Sequence, residues 1–165
     1  MHMNSDEEPS GKSFPHQSDP AADPSSNQPN ASQAGALLPG LEGRYEADVH
    51  PEWTRAHFQA HLPAVFSTPA MIGMMEAACG QAIATALPPG TMSVGTRIEV
   101  DHLKALPVGA HVVATARLIE VHGRFLVFDV EARSGEFVIG RGRIFHAIVD
   151  LARFARIAGE RSVSR

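Results

Sequence analysis

The segment that most constrains the fold runs from Phe66 to Leu87, FSTPAMIGMMEAACGQAIATAL, and is apolar on nearly every side. Thr68 followed by Pro69 is typical of a helix N-cap and first turn, and Pro88-Pro89-Gly90 is a strong stop signal. The pattern therefore predicts a helix of about five turns. A helix without a wide polar face needs cover on more than one side, which favours a curved sheet wrapped around it.

Four segments beyond this helix have the β-rich or alternating pattern of strands. They are Val94 to His102, His111 to Val121, Phe125 to Ala132 and Phe137 to Val149. The links HGR and SGE are short enough to require antiparallel hairpins. An earlier run, RYEADVHPEW, is a candidate first strand, and LARFARI near the C-terminus is a candidate helix or strand extension. The sequence predicts an α+β domain with one long helix and about five antiparallel strands.

The composition changes sharply near Gly40 and predicts three regions. Residues 1–40 are rich in small and polar residues and hold five acidic residues against Lys12, a net of −4, which is the formal charge of the whole chain. Such a segment buries too little apolar surface to offset its ordering entropy. We expect a disordered acidic tail at 1–40, a folded domain at 41–158 and a flexible C-terminus at 159–165. The domain is balanced in charge, which argues against nucleic-acid binding.

The sequence also predicts where the chain resides. No basic segment with an apolar run marks a secretory signal peptide, and no run reaches the ~20 apolar residues of a membrane span, so we expect no membrane partner. Cys79 is the only cysteine, which favours a reducing, cytoplasmic setting. It lies within the apolar helix without a neighbouring base, so we interpret it as a small buried hydrophobe.

Glu76 is the only carboxylate in the apolar segment, and no cation lies one helical turn away from it. Its neighbours at that spacing are Ile72, Gly73, Cys79 and Gly80. Two interpretations stay open. One is a structural glutamate that faces water or pairs with an arginine of the sheet, and the other is a functional carboxylate whose flanking glycines leave room for a ligand.

The strand VGTRIEVDH favours the functional interpretation. Its alternation predicts one face toward the helix, formed by Val94, Thr96, Ile98, Val100 and His102. A carboxylate near an imidazole is suited to acid/base chemistry near neutral pH, and a threonine hydroxyl stands at the start of the same helix. Thr68, Glu76 and His102 are therefore the candidate catalytic residues.

Three stretches carry a family resemblance: VFSTPAMIGMMEAACGQAI, SVGTRIEVDHLKALPVGAHV and HGRFLVFDVEARSGEFVIGRGRIFHAIVDLARF. In this order they resemble the hot-dog fold thioesterases, and within them the fluoroacetyl-CoA thioesterase and its relatives. The resemblance implies a five-stranded antiparallel sheet wrapped around one long central helix, and a homodimer with acyl-CoA sites at the subunit interface. By motif, it places the family's catalytic residues on Thr68, Glu76 and His102, and a glycine that admits the substrate carbonyl on Gly95.

The chain departs from this family at two places. Gln59 and Leu62 stand where the fluoroacetyl-specific member has lid phenylalanines, and His146 stands where the family has an arginine in its final strand. These changes bear on which acyl group is accepted and leave thioester hydrolysis unaffected.

The resemblance implies hydrolysis of a small or short-chain acyl-CoA thioester, with no metal and no cofactor beyond the CoA of the substrate. Glu76 would act as a general base on water or as a nucleophile that forms a mixed anhydride, and both routes stay open. The residues expected to bind substrate are Gly95, Arg141, Arg143 and His146, with the acyl group among Leu62, Phe66, Met71, Met74 and Met75. Two alternatives are a non-catalytic acyl-CoA binding or sensing module and a hot-dog enoyl-CoA hydratase or dehydratase.

Overall fold

The computed structural model describes residues 36–160. Most of the predicted acidic tail, residues 1–35, and the last part of the predicted flexible C-terminus, residues 161–165, lie outside the described residues. Leu37 already packs against the core, and the Gly40 N–H donates a hydrogen bond to the Leu118 carbonyl at 2.8 Å. Contacts with the core therefore begin a few residues before the predicted boundary at 41.

Five strands form a single antiparallel sheet. They are β1 (Glu42–Asp48), β2 (Thr91–His102), β3 (His111–His122), β4 (Phe125–Ser134) and β5 (Phe137–Asp150), in the spatial order β1-β3-β4-β5-β2. The long helix α2 (Thr68–Ile83) follows a 3-10 turn (Pro51–Trp53) and the short helix α1 (Arg55–Phe58), and α3 (Leu151–Glu160) ends the described chain. The predicted α+β class is confirmed, and the C-terminal segment is a helix.

The N-cap of α2 is Ser67, and the prediction of Thr68 at this position was wrong. The Ser67 Oγ accepts a hydrogen bond from the Ala70 N–H at 3.4 Å. Thr68 and Pro69 occupy the first helical positions, where the missing proline N–H costs no helical hydrogen bond. The Thr68 hydroxyl is thereby free to bind a group outside the helix.

One side of α2 packs on the sheet and forms the core. Its buried residues are Ala70, Met71, Met74, Met75, Ala78, Cys79, Ala82 and Ile83. The helix approaches β1 so closely that a Cβ atom at Gly43 would overlap the backbone of Ala78 and Ala82. On another side of the helix, a Cβ atom at Gly73 or Gly80 would meet nothing within 4 Å in the described part of the chain. Within the described chain, the sheet therefore covers the helix on one side.

Strand β2 contains a bulge at Thr96. Gly95 pairs with His146 and Arg97 pairs with Phe145, so Thr96 is an extra residue without its own partner position on β5. Its hydroxyl donates a hydrogen bond to the Phe145 carbonyl at 3.0 Å. A bulge of this kind shifts the alternation of side chains along the strand by one position.

Because of the bulge, the prediction of which β2 residues face the helix was wrong for the part of the strand before Thr96. Before it, Gly95 shares a face with its partner His146, which points toward α2, and Val94 points to the opposite face with Ala147. After it, His102 is on the helix side, opposite Gly140, whose Cβ position would be filled by a methionine of α2. Val94 was therefore wrongly grouped with His102, because the sequence alternation runs through the bulge without a break.

Strand β2 is an edge of the sheet, and it exposes apolar surface. Residues 95–99 are exposed, and Ile98 keeps 46% of its surface accessible. A second exposed apolar surface lies on α3, formed by Leu151, Phe154 and Ile157. Among the helices in residues 36–160, none has the length and apolar character needed to cross a membrane.

Candidate active site

Thr68 and His102 form a hydrogen-bonded pair at the start of α2. The Thr68 Oγ1 lies 2.9 Å from His102 Nδ1, and His102 Nε2 lies 3.0 Å from the Lys104 carbonyl oxygen. Because a carbonyl oxygen only accepts, Nε2 carries the proton and donates to Lys104. In the neutral ring Nδ1 is then an acceptor, and the Thr68 hydroxyl donates to it. The hydroxyl thus has a neighbouring base whose ring is oriented by a third group.

Phe66 holds the imidazole of this pair in place. Its ring meets the His102 ring edge-on, with 6.3 Å between centroids, and the side chain is fully buried. The Phe66 N–H donates to the Leu106 carbonyl at 2.8 Å, which fixes the strand-like segment before α2. The pair therefore sits on two anchored segments, the helix start and the end of β2.

Glu76 pairs with a histidine of the sheet. Its Oε2 lies 3.0 Å from His146 Nε2, and 30% of the Glu76 side chain stays exposed. His146 is buried at 3% exposure, its Nδ1 lies 3.1 Å from the Ser93 Oγ, and its ring packs against Phe128. The sequence left open a structural Glu76 paired with an arginine of the sheet. In the structure, the partner of Glu76 is the His146 imidazole.

Gly95 leaves the space in which the Glu76 carboxylate lies. A Cβ atom at this position would approach Glu76 Oε1 to 2.5 Å. Since a real Cβ atom does not come so close to an oxygen, any larger residue would displace the carboxylate. Gly95 was predicted as a substrate-binding position, and the structure brings its backbone directly against the acidic group.

Glu76 and His102 belong to two separate pairs within one subunit. Thr68 and Glu76 are eight residues apart on α2, which is about 12 Å along the helix axis. The expected proximity of Glu76 and His102 is therefore not found within a single chain. The reason is that β2 passes different turns of the helix along its length, with Gly95 near its middle beside Glu76 and its last residue His102 beside Thr68.

The residues predicted to line the acyl pocket differ in accessibility. Phe66 and Met71 are fully buried, and Met71 fills the space that a Cβ atom at Gly140 would take. Leu62 is half-buried in the segment between α1 and α2. Phe66 borders His102, whereas Met71 is part of the packed core in this conformation.

Arg141 and Arg143 lie on the face of the sheet opposite to Glu76. They alternate along β5 with the inward Ile144 and His146, so their side chains point away from α2. Their cross-strand neighbours are carboxylates: Asp101 and Glu131 flank Arg141, and Glu99 and Asp129 flank Arg143. Opposite charges in such positions stabilise the sheet modestly. Both arginines line an open groove of about 820 Å³ on this outer face, so within one subunit they do not share a site with Glu76.

Cys79 is unreactive in this environment. It is fully buried, and burial, followed by the neighbouring Glu76 carboxylate, raises the pKa of its thiol to about 12. The prediction of a small buried hydrophobe is confirmed. Within residues 36–160, no group of three or more His, Cys, Asp or Glu side chains is placed to hold a metal ion.

Comparisons with known proteins agree with this geometry. The family model described as fluoroacetyl-CoA-specific thioesterase matches residues 49–152, which include both histidine pairs. The chain belongs to this family. A fluoroacetyl-CoA thioesterase from Streptantibioticus cattleyicolor is 44% identical over 95 residues, or 58% of this chain and 68% of the relative. Family membership confirms the predicted hydrolysis of an acyl-CoA thioester.

Solved structures of thioesterases share the fold. A structure of the fluoroacetyl-CoA thioesterase superposes with a TM-score of 0.72 at 36% identity, over 79% of this chain and all of that chain. A thioesterase superfamily member from Thermus thermophilus gives 0.70 at 28% identity, over 78% of this chain and 98% of that chain. The predicted hot-dog fold is confirmed, and the hydratase and binding-module alternatives are not favoured.

Sequence reasoning named Thr68, Glu76 and His102, and it missed Ser93. His146 was named only for substrate binding, and its contact with Glu76 was not foreseen. The signal in the sequence was weak: the pattern of β2 gives no sign of the bulge, and only the register of β2 on β5 brings Ser93 and His146 together.

Proposed function

We propose that this chain hydrolyses a small acyl-CoA thioester with Glu76, His102 and Thr68 as its catalytic residues. The observation that carries the proposal is the partly exposed Glu76 carboxylate in an otherwise apolar helix, facing the open backbone of Gly95. The thioester carbonyl would approach along this backbone. The Thr68 hydroxyl and its histidine would supply a second polar group to the same substrate.

The reaction follows one of two balanced routes. With Glu76 as general base, the carboxylate takes a proton from water, the hydroxide attacks the carbonyl carbon, and the C–S bond breaks as CoA leaves with a proton. With Glu76 as nucleophile, the carboxylate displaces CoA to form a mixed anhydride, which water then hydrolyses. A single turnover in ¹⁸O-water separates the routes. The general-base route places ¹⁸O in the product acid, whereas the anhydride route leaves ¹⁸O in the enzyme when water attacks the Glu76 carbonyl.

The acyl group is expected to be short. The relative from Streptantibioticus cattleyicolor is named for fluoroacetyl-CoA, and Phe66 and Met71, which were predicted to contact the acyl group, are fully buried in this conformation. Gln59 and Leu62 replace the lid phenylalanines, so the proposal favours small acyl groups in general over fluoroacetyl alone. The test is free-thiol release from acetyl-, fluoroacetyl-, butyryl- and octanoyl-CoA, with and without EDTA. Turnover restricted to octanoyl-CoA, or none at all, would contradict the proposal.

The active unit is proposed to be a homodimer with shared sites. Support comes from the long edge strand β2, its exposed Ile98, and the open side of α2 at Gly73 and Gly80. Antiparallel pairing of two β2 strands between Ile98 and Glu99 would set His102 of one subunit opposite Gly95 of the other. The separation of about 12 Å between Thr68 and Glu76 along the helix axis of one chain would then be bridged across the interface.

Mixing two inactive variants tests the shared site. Thr68→Ala and Glu76→Gln, unfolded and refolded together, should regain about a quarter of wild-type activity, because half of the dimers are mixed and each mixed dimer has one intact site. Each variant refolded alone is the control. No recovery in dimers shown to be mixed by mass spectrometry would place every catalytic group in one subunit. A cytoplasmic location is also proposed, because an enzyme with a single unpaired cysteine suits a reducing compartment.

A further inference from the structure

We propose that His146, held by Ser93, is a positioning residue that fixes one oxygen of Glu76 and leaves the other as the reacting oxygen. This inference rests on the proposed function of Glu76. It assigns different roles to the two carboxylate oxygens, with Oε2 anchored by the sheet and Oε1 presented to the substrate.

The two oxygens of Glu76 have different surroundings. Oε2 lies 3.0 Å from Nε2 of the buried His146. Oε1 is the oxygen nearest to the vacant Cβ position of Gly95, on the exposed middle of the edge strand. A substrate reaching the site along β2 would therefore meet Oε1 first.

In the described part of the chain, the inner nitrogen of the His146 imidazole has Glu76 Oε2 as its neighbouring acceptor. His146 Nε2 is buried and has no hydrogen-bond partner of good geometry within residues 36–160, although Glu76 Oε2 lies 3.0 Å away. A buried donor without a partner is costly, so a small rotation of the carboxylate that aligns the two groups is favourable. The unpaired donor therefore favours an orientation of the carboxylate in which Oε2 accepts a hydrogen bond from Nε2.

Ser93 sets which nitrogen of His146 carries the proton. Its Oγ lies 3.1 Å from Nδ1, and a serine hydroxyl donates readily to an imidazole nitrogen. When the hydroxyl donates to Nδ1 of the neutral ring, the proton resides on Nε2, which then donates to Glu76 Oε2. The bulge at Thr96 brings Ser93 to this face, and the ring of Phe128 packs against the imidazole at 5.1 Å between centroids.

Three variants test the positioning role of His146 and Ser93, and kcat and KM are measured separately for each. His146→Leu should lower kcat about 10- to 100-fold with KM nearly unchanged, because the carboxylate loses its orientation while substrate contacts remain. His146→Gln should recover most of the loss, since its side-chain amide places an N–H donor near the position of Nε2. Ser93→Ala should lower kcat several-fold, and should have no further effect in the His146→Leu background.

The control is His122→Leu, which makes the same change at an exposed histidine that also pairs with a glutamate, Glu120, at 2.8 Å. It should leave kcat unchanged. Melting temperatures of all variants are measured on the same preparations, because a merely structural His146 would make activity follow stability. The inference is overturned if His146→Leu keeps wild-type kcat, or if His146→Gln is as impaired as His146→Leu at equal stability.

A parallel assay of Glu76→Gln distinguishes this inference from the proposed function. If Glu76→Gln loses turnover while the His146 and Ser93 variants do not, only the positioning role fails. If Glu76→Gln retains turnover, the proposed function itself fails.

Discussion

Glu76 affects its neighbours in two ways, through its charge and through the space it needs. The charge contributes to the raised pKa of the Cys79 thiol one turn further along α2. The space is provided by the absent side chain of Gly95, against which the carboxylate lies. Both effects give measurable consequences for single substitutions.

Cys79 should make the protein less stable in alkaline solution. The thiol of the unfolded chain ionises with an ordinary pKa of 9.0, whereas burial raises the pKa of the folded thiol to about 12. Stability from this group is therefore complete below pH 9 and falls by about 1.4 kcal/mol per pH unit up to pH 12. Denaturant titrations from pH 8 to 11 should show a shallower decline for Cys79→Ala. Equal slopes for both proteins would show that the thiol does not control this loss.

Gly95→Ala should inactivate the enzyme without unfolding it. The added methyl group would overlap Glu76 Oε1 and displace it by about an ångström, a misplacement that costs on the order of 10²-fold in kcat. Gly95 has no positive φ angle, so alanine is compatible with its backbone. Gly159→Ala, where a Cβ atom meets nothing within 4 Å, is the matched control. Full activity in Gly95→Ala would mean that the carboxylate lies elsewhere during turnover.

At the scale of elements, the start of α2 separates a hydroxyl that caps the helix from the hydroxyl that we propose to be catalytic. Ser67 caps the helix and is buried, while the next residue, Thr68, donates to His102. The sequence pattern STP predicted the helix start correctly to within one residue. It did not assign the two hydroxyls, because either residue type is a good N-cap and only the position of His102 decides between them.

Substitutions at these two neighbours should have opposite effects. Ser67→Ala should lower the free energy of unfolding by about 1 kcal/mol and leave kcat within a factor of about two, because it removes only the cap. Thr68→Ala should leave stability nearly unchanged and lower kcat on the order of 10²-fold. Unfolding curves and thiol release measured on both proteins decide which hydroxyl caps the helix and which is needed for turnover. A reversed result would make Thr68 the effective cap.

In the sheet, the sequence pattern predicts some features and misses others. The hairpins and the bounds of β3, β4 and β5 were predictable from alternation and turn residues, whereas β1 ends before the predicted run does and β2 begins three residues before the predicted Val94. The bulge at Thr96 was not predictable, because the alternation of residue types in the sequence continues through it. The added residue nevertheless reverses the face on which Gly95 lies. The contact of His146 with Glu76 depends on this register and was therefore outside the reach of local patterns.

At the scale of the whole molecule, the described domain begins near Leu37 and extends through α3. Residues 1–35, most of the predicted acidic tail, lie outside the described residues, so the disorder of this tail stays a prediction. The family match ends at residue 152, so most of α3 lies beyond the matched region. The proposed catalytic groups all lie between these ends.

Truncation distinguishes the predicted tail from the domain. Removal of residues 1–35 should leave melting temperature and turnover unchanged, because their composition gives no core-forming pattern. Removal of residues 1–40 should lower stability, because it deletes the packing of Leu37 and the Gly40 hydrogen bond to Leu118. Lost turnover in the shorter truncation would show that the tail contributes to the enzyme.

The most direct test of the whole account is Glu76→Gln, with thiol release and the free energy of unfolding measured on the same preparation. A catalytic carboxylate predicts a turnover loss on the order of 10²-fold or more with stability nearly unchanged, since the amide oxygen can still accept from His146. A glutamate that serves only to satisfy the buried His146 predicts the reverse, turnover near the wild-type value with any loss confined to the free energy of unfolding. An unstable Glu76→Gln protein that still hydrolyses the thioester would contradict the proposed mechanism.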